Sequence, residues 1–196
     1  SCSDANGCSQ MRFSNDGSTW STAEAFSASR SSWALSSGDG SKTVFAQFQD
    51  TAGNWSSGVI DKAVTLDTTP PAGGVVINTY DAVATGQTAT LTLACTDATS
   101  GCSEMQFMNA GGSWSTAEPF AMTRTWSLVA TDGTTTVYAR FKDAAGTWSS
   151  AVSDDIYLDS HAPTTTASPA GSSLLGQPVG VTLSCADGQG SGCSTT

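Results

Sequence analysis

The fold is decided by the stretch Thr88-Ala-Thr-Leu-Thr-Leu-Ala-Cys95. Threonine alternates in it with apolar residues, so that Ala89, Leu91 and Leu93 share one face of an extended chain. This period of two predicts a β-strand with one buried face, and it is the clearest strand pattern in the sequence. The low charge of the chain, its many threonines and the lack of helical periodicity extend the prediction to an all-β protein.

A cysteine pair follows this strand and occurs twice more in the chain. The first cysteines of the three pairs are Cys2, Cys95 and Cys185, at intervals of 93 and 90 residues. Other residues downstream of the first pair return 93 or 94 positions later: Met11, Trp20, Trp33 and Trp55 correspond to Met105, Trp114, Trp126 and Trp148. Fixed cysteine and aromatic positions between drifting surface residues indicate tandem copies of one small domain.

The repeat predicts three segments. Residues 68–159 form a complete copy, residues 1–67 a copy that lacks its first strands, and residues 160–196 the N-terminal part of a third copy. A chain that starts and stops inside a repeat is interpreted as a window on a longer array. A truncated sequence would equally imply a longer array of repeats.

The complete copy has the pattern of about seven short strands, separated by turns. Strands are predicted at 75–77, 88–95, 104–108, 119–122, 126–128, 136–141 and 152–158, and a turn at 81–86. This spacing predicts an antiparallel two-sheet sandwich of immunoglobulin-like type, with the copies arranged as a rod. The predicted core comprises Leu91, Leu93, Phe107, Trp126, Val137 and Phe141, with Val44 and Phe48 as counterparts of the last two.

The six cysteines are assigned to disulfides within the close pairs, namely Cys2–Cys8, Cys95–Cys102 and Cys185–Cys193. A local disulfide tolerates the varying loop length, whereas a zinc knuckle holds a tighter spacing and needs two converging pairs. Free thiols are the remaining alternative. We expect each disulfide to pin the loop after the second strand, because its cysteines are too close in sequence to bridge two sheets. Disulfides indicate an oxidising compartment, and hence an extracellular location.

Two motifs resemble the tandem immunoglobulin-like repeats of large bacterial surface proteins and adhesins. They are the run Phe48-Gln-Asp-Thr-Ala-Gly-Asn-Trp-Ser56 and the join Asp67-Thr-Thr-Pro-Pro71. Those repeats typically carry an Asp-x-Ala-Gly-Asn turn before the last strand and an Asp-Thr-Thr-x-Pro join. The second copy keeps the turn as Asp143-Ala-Ala-Gly146, and its join, Asp159-Ser-His-Ala-Pro163, departs further. The resemblance implies an extracellular, cell-surface module.

Calcium is the one cofactor that the sequence suggests. Asp50 with Asp67, and Asp143 with Asp159, stand at matching positions of the repeat. Calcium takes six to eight oxygen ligands, and the resemblance implies that aspartates near the joins bind it and stiffen the rod. The alternative is that Asp50 and Asp143 only accept hydrogen bonds from turn amides.

Charge and histidine content restrict the function classes. The formal net charge is −10, from 17 acidic and 7 basic residues, which argues against nucleic acid and anionic membranes as partners. The single histidine, His161, lies in a join beside Pro163, so no Ser-His-Asp or Cys-His set can be assembled. We therefore expect no enzymatic activity.

The tryptophans allow two interpretations. Exposed, coplanar rings would form a sugar-binding platform, whereas rings at a fixed register more often belong to a core or cover the edge of a sandwich. Trp55 and Trp148, which lie in turns beside serines, are expected to be the most exposed.

These observations predict a structural segment of an extracellular bacterial repeat protein: a surface stalk, an adhesin spacer or a filament body. Its partners would be copies of itself or neighbouring repeats. One alternative is a carbohydrate-binding accessory module of a secreted protein, with surface glycans as partners. Another is a filament subunit assembled by donor-strand complementation. Against the last, the tail continues past its strands into residues 185–196, which duplicate residues 1–11.

Overall fold

The computed structural model describes residues 2–5, 7–56, 60–168, 180–188 and 190–193. The chain divides into two compact units. The first consists of Ser1–Thr69, Asp97–Gly101 and Ala145–Thr147, and the second of Pro70–Thr96, Cys102–Ala144 and Trp148–Thr196. None of the described segments is a helix long and apolar enough to cross a bilayer. The copy boundaries predicted at residues 67 and 159 stay predictions.

The first unit contains a single antiparallel sheet. Its strands are β1 (Cys8–Ser14), β2 (Glu24–Ala25), β3 (Gly40–Asp50) and β4 (Ile60–Leu66). They lie in the order β2-β1-β3-β4, with β1 and β3 paired at the centre. Within the described residues, no second sheet covers the apolar side of this pair, so that Phe13, Val44 and Phe48 are only half-buried.

The second unit contains two sheets and a separate hairpin. Its strands are β5 (Ala72–Ile77), β6 (Val83–Ala84), β7 (Thr88–Thr96), β8 (Cys102–Asn109), β9 (Glu118–Pro119), β10 (Thr123–Ser127), β11 (Gly133–Asp143), β12 (Val152–Leu158), β13 (Thr164–Ser168) and β14 (Thr182–Ala186). One sheet has the order β10-β7-β5 and the other β6-β12-β11-β8-β9, while β13 pairs with β14 alone.

The two sheets of the second unit enclose its core. Along β7, Ala89, Leu91 and Leu93 are buried and the threonines between them are exposed, which is the alternation that the sequence predicts. From the facing sheet, Phe107 and Phe141 are fully buried in the same cluster. Burying each such side chain contributes roughly 1.5–3 kcal/mol to folding. The predicted all-β, antiparallel sandwich of immunoglobulin-like type is thereby confirmed.

Trp126 departs from the predicted core. It is half-buried and packs against the edge of the cluster, with its ring centroid 5.5 Å from that of Phe107. Val44 and Phe48, the predicted counterparts of core residues, are half-buried as well. Their alternation places them on the apolar side of β3, but burial also requires a second sheet, and none lies there among the described residues.

The segment predicted as a turn at 81–86 contains a strand. β6 pairs in parallel with β12, through Tyr157↔Val83 and Leu158↔Ala84, and Ala84 is buried. Two residues are too few to show a period of two, so this strand could not be found from its pattern. The larger sheet therefore has one parallel pair at its edge.

The structure contains the disulfides Cys2–Cys8, Cys95–Cys102 and Cys185–Cys193. The expectation that they cannot bridge two sheets is wrong for the second of them. Cys95 lies in β7 of the smaller sheet and Cys102 begins β8 of the larger sheet. The chain crosses from one sheet to the other within this loop, so that a short sequence separation still joins the two layers.

Candidate functional site: a repeated tryptophan–arginine ladder

In the second unit an arginine lies between two tryptophans. The guanidinium carbon of Arg140, on β11, lies 4.5 Å from the ring centroid of Trp114 and 4.7 Å from that of Trp148. Its Nε donates a hydrogen bond of 2.9 Å to Oε1 of Gln106, which stands opposite it on β8. A cation over an aromatic face is attracted by the ring quadrupole, more strongly as water is excluded. All four side chains are half-buried.

The first unit contains the same arrangement. The guanidinium carbon of Arg12, on β1, lies 5.0 Å from the ring centroid of Trp20 and 4.2 Å from that of Trp55. Its Nε and Nη2 donate to Oε1 of Gln47 on β3, at 2.9 and 2.6 Å. We call each set of one arginine, one glutamine and two tryptophans a ladder.

The two ladders differ in which strand carries the arginine. Arg12 corresponds in the repeat to Gln106, and Gln47 corresponds to Arg140. Arginine and glutamine have thus exchanged places across the paired strands, which face each other in both units. From either strand the guanidinium reaches the space between the rings. The chain therefore retains the ladder as an assembly rather than an arginine at one repeat position.

A serine follows each ladder tryptophan and holds the backbone of a neighbouring strand. Its N–H donates to the carbonyl of a phenylalanine, and its Oγ accepts from the N–H of the same phenylalanine, an arrangement that we call a Trp-Ser clip. The N–H bonds are all 2.8 Å and the Oγ bonds 3.0–3.3 Å, in the pairs Ser21–Phe13, Ser56–Phe48, Ser115–Phe107 and Ser149–Phe141. Every ladder tryptophan is therefore anchored through its own chain neighbour to a central strand.

The third tryptophan of each copy is held differently. The indole N–H of Trp33 donates to Asn15 Oδ1 at 2.7 Å, and that of Trp126 to Asn109 Oδ1 at 2.8 Å. All six tryptophans are half-buried. Trp55 and Trp148, the two that the sequence made the likeliest to be exposed, are half-buried like the other four. One face of each ladder ring is taken by a guanidinium, which leaves that face closed to a sugar.

The four aspartates predicted to bind calcium lie in different settings. Asp50 accepts the backbone N–H of Asn54 at 2.8 Å and its side-chain amide at 2.9 Å, which are the turn contacts of the alternative interpretation. These bonds, the side-chain one first, hold the pKa of Asp50 below its usual value. Asp143 is buried at the end of β11, opposite Cys102.

The other two aspartates, which lie in the joins, accept hydrogen bonds from the cysteine loops. Asp67 Oδ2 accepts a bond from the hydroxyl of Ser100. At the next join, Asp159 Oδ2 accepts the backbone N–H of Ser191, the repeat counterpart of Ser100, at 2.6 Å. This bond is the main cause of the lowered pKa of Asp159. These two cysteine loops are thus each tied to the join that precedes them.

Asp97 is an acidic residue that the sequence interpretation missed. Its Oδ1 accepts the backbone N–H groups of Thr99, Ser100 and Gly101 at 2.8–3.1 Å, which lowers its pKa, with Ser100 as the largest cause. A carboxylate oxygen of Asp97 lies within 4.8 Å of one of Asp67. The sequence did carry a signal, because an aspartate stands two residues after the first cysteine of every pair.

Both joins are also held by an aspartate from the loop before β3 or β11. Asp39 Oδ1 accepts the N–H and hydroxyl of Thr68, at 2.9 and 2.8 Å. Asp132 Oδ1 accepts the N–H and hydroxyl of Ser160 in the same way, at 3.1 and 2.8 Å. Its other oxygen contacts Nδ1 of His161, which raises the pKa of the imidazole.

No protein-family model matches the sequence, and no curated protein matches it. The fold is similar to the fibronectin(III)-like modules of Clostridium thermocellum CbhA, with 15% identity, a TM-score of 0.45, and coverage of 81% of this chain and 82% of that one. It is also similar to the PKD1 domain of Vibrio anguillarum Epp, with 15% identity, a TM-score of 0.35, and coverage of 47% and 99%.

A tetra-tandem repeat from the extending region of a large adhesion protein is similar as well. The identity is 25% and the TM-score 0.37, with coverage of 83% of this chain. This chain spans 44% of the length of that one. With TM-scores below 0.5, none of these likenesses assigns a family or a function.

Proposed function

We propose that the chain is a structural segment of an extracellular bacterial repeat protein, serving as a surface stalk, an adhesin spacer or a filament body. The observation that carries the proposal is the exchange of arginine and glutamine between the two ladders. A site that recognises a ligand needs its groups at defined positions. A contact that stabilises two paired strands needs only a guanidinium between two aromatic rings, and either strand can supply it.

The Trp-Ser clips support a load-bearing role. A domain of about 90 residues buries a modest core, so hydrogen bonds and cation–π contacts at the sheet surface matter more to its stability than in a larger domain. Each clip uses both backbone groups of a phenylalanine on a central strand, and each ladder joins two clips through one arginine. Each ladder therefore connects two turn segments, one bonded to each of the two central strands.

The disulfides support an extracellular setting. Three short disulfides require an oxidising compartment and protect the loops against proteolysis. The proposal includes no catalytic role, and no partner among nucleic acids or membranes. Its partners are neighbouring repeats or copies of the chain.

Single-molecule stretching of the whole chain, held between two handle domains, tests the proposal. The variant Arg140→Gln removes the guanidinium and should lower the force at which the second unit unfolds. The double variant Gln106→Arg, Arg140→Gln recreates the arrangement of the first unit and should recover most of that force. An unchanged force in Arg140→Gln would contradict a mechanical role for the ladder.

Glycan binding provides the opposing test. A carbohydrate-binding module would retain surface glycans on an array and lose them on Trp114→Ala and Trp148→Ala. The proposal expects no specific retention by the wild-type chain. Tryptophan-dependent retention would overturn it in favour of the carbohydrate-binding alternative.

A further inference from the structure

The strand β10 (Thr123–Ser127) forms one edge of the sandwich in the second unit. Among the described strands, its only neighbour in the sheet is β7. The edges of the facing sheet, β6 and β9, have two residues each and offer little to a further strand. At the remaining edge, β5, the N–H of Ile77 donates to Asp154 Oδ2 at 2.8 Å. β10 is therefore the edge at which a further strand could pair.

The hydrogen bonds between β7 and β10 determine which backbone groups of β10 point outward. The N–H of Leu93 donates to the carbonyl of Met122, and that of Leu128 to the carbonyl of Gln87, both at 2.8 Å. Along an antiparallel strand, every second residue bonds the same neighbour, so the even-numbered residues of β10 bond β7. The odd-numbered residues direct their N–H and C=O groups away from the sheet: Thr123, Thr125 and Ser127.

Two of these outward carbonyls accept hydrogen bonds from side chains. Nη1 of Arg124 donates to the carbonyl of Thr125 at 2.8 Å, and Nδ2 of Asn109 donates to the carbonyl of Ser127 at 3.0 Å. We call these two side chains the edge cap. A donor prefers the lone-pair directions in the plane of the peptide. The cap therefore lies where the N–H groups of a further strand would have to lie.

The first unit has the same cap. Nε of Arg30 donates to the carbonyl of Ser32, and Nδ2 of Asn15 donates to the carbonyl of Ala34, both at 2.9 Å. In both units the arginine bonds the residue before a tryptophan and the asparagine bonds the residue after it. The asparagine also accepts the indole N–H of that tryptophan, so one side chain holds both groups.

The cap is retained although the spacing of its residues differs between the copies. Arg30 stands three positions before Trp33, whereas Arg124 stands two positions before Trp126. The guanidinium nevertheless bonds the corresponding carbonyl, through Nε in the first unit and through Nη1 in the second. The two copies thus share the contact with the carbonyl rather than the spacing in sequence.

A glutamate contacts each of the two arginines. Nε of Arg124 donates to Oε1 of Glu118 at 2.6 Å, and Nη1 of Arg30 donates to Oε1 of Glu24. A guanidinium has several N–H donors in one rigid plane. One donor can therefore bond the glutamate while another bonds the carbonyl, which fixes the guanidinium at the edge.

We infer that the edge cap closes β10 against a further strand, and that the strand it excludes is the same edge of another copy of the chain. Two such edges, related by a two-fold axis at Thr125, would form an antiparallel pair. The carbonyls of Thr125 and Ser127 would accept N–H groups of the partner, and these are the carbonyls that the cap occupies. Identical edges are a hazard where copies are close together, as in a tandem array. The inference does not depend on the spacer role.

Sedimentation velocity of the full chain, up to near-millimolar concentration, tests the inference. The double variant Arg124→Ala, Asn109→Ala removes both donors of the cap. Its reversible association should be at least roughly tenfold tighter than that of the wild-type chain, because each freed carbonyl gains a hydrogen bond across the dimer. Amide exchange at Thr125 should slow as the double variant associates, since its N–H becomes bonded to the partner.

Thr125→Pro identifies the surface. Proline removes the outward N–H and its ring obstructs a partner strand, while the bonds of Arg124 and Trp126 to β7 are kept. Added to the double variant, this substitution should abolish the association. In the wild-type chain it should leave the sedimentation unchanged, because the edge is already closed.

Two controls separate the cap from a general loss of stability. Glu118→Gln breaks the ion pair with Arg124 but keeps both donors of the cap. Ser149→Ala removes a hydrogen bond to Phe141, away from β10. Both variants should sediment as the wild-type chain does.

Three outcomes count against the inference. A double variant that associates no more than the wild-type chain shows that β10 needs no cap. Association that persists with Thr125→Pro arises at a different surface. Association of Ser149→Ala as strong as that of the double variant attributes the effect to partial unfolding.

Discussion

Ser149 shows at the residue scale how a Trp-Ser clip works. Its Oγ accepts the N–H of Phe141 at 3.0 Å and donates to the carbonyl of Ser150 at 2.8 Å. Phe141 is fully buried, so water cannot replace the serine at its N–H. The hydroxyl is therefore a backbone partner for a central strand where the edge strand does not reach.

Removing this hydroxyl should destabilise the second unit. Ser149→Ala leaves the N–H of Phe141 without an acceptor, and we expect a loss of about 1–2 kcal/mol in the free energy of unfolding. Chemical denaturation followed by tryptophan fluorescence measures it. Ser150→Ala is the matched control and should change stability by less than about 0.5 kcal/mol, because its side chain is exposed. Equal losses in the two variants would show that the clip adds nothing.

The sequence predicted most of the named core residues of the second unit and did not show the ladder, for a physical reason. Alternation along one strand identifies Leu91 and Leu93, because the period of two is a local property. The ladder joins residues from two strands and two turns, so it depends on register. A comparison of the copies does not show the ladder either. Arginine and glutamine have exchanged strands, so neither Arg12 nor Arg140 stands at a repeated position.

At the scale of elements, the disulfide between β7 and β8 joins the two sheets of the second unit. Replacing Cys95 and Cys102 by alanine opens a short loop and should lower the free energy of unfolding by about 2–3 kcal/mol. The matched control replaces Cys185 and Cys193, next to the exposed hairpin, and should leave unfolding of the core unchanged. Thermal denaturation compares the two. A larger effect in the control would contradict the sheet-bridging role.

Before these measurements, mass spectrometry checks that the cysteines form disulfides. Reduction should add six hydrogens to the intact mass, because three disulfides are present. The unreduced chain should not react with a thiol reagent. Labelling without reduction would show that at least one pair is open.

The second join should respond to pH through His161. Its contact with Asp132 raises the pKa of the imidazole in the folded chain. The stabilisation is therefore fully present below the unfolded pKa of about 6.5 and is lost as the pH rises through the raised folded value. Amide exchange at Ser160 and His161 should be slower near pH 5.5 than near pH 8, after correction for intrinsic rates.

His161→Thr is the control for this effect, because the first join has Thr69 at the same place. A threonine does not titrate, so its protection should be the same at both pH values. An NMR titration of the His161 ring measures the pKa directly. A value at or below 6.5 would contradict the expected contact.

Calcium binding stays a proposal. Asp67 and Asp97 have carboxylates close together, whereas Asp50 is engaged in a turn. Millimolar calcium should raise the melting temperature, and a chelator should reverse the rise. Asp97→Asn and Asp67→Asn should abolish the response, and Asp50→Asn should retain it. Identical melting curves with calcium and with chelator would contradict the proposal.

The strands show which elements can be found from sequence. β7, where Ala89, Leu91 and Leu93 are buried between exposed threonines, follows from alternation. The two-residue β6 does not, because its pairing is set by the position of β12 rather than by its own residues. The role of the Cys95–Cys102 disulfide as a bridge between sheets was missed, because sequence separation does not show where the chain crosses from one sheet to the other.

At the scale of the whole molecule, the spacer proposal requires an extended array. Proline in the joins restricts the backbone, and a net charge of −10 opposes collapse of copies onto each other. Small-angle scattering of proteins with increasing copy number should give a maximum dimension that grows linearly with that number. Growth as the cube root of copy number would mean that the copies fold back, and the spacer proposal would fail.

The exchange of arginine and glutamine also bears on how neighbouring copies avoid folding into one another. Tandem domains of similar sequence are prone to pair their strands across copies. If β1 paired with β11, Arg12 would face Arg140, and two guanidinium groups would compete for one space between rings. If β8 paired with β3, two glutamines would meet and the rings would have no cation. Only strands from the same copy bring one arginine and one glutamine together, so the exchange gives each copy a means of recognising its own strands during folding.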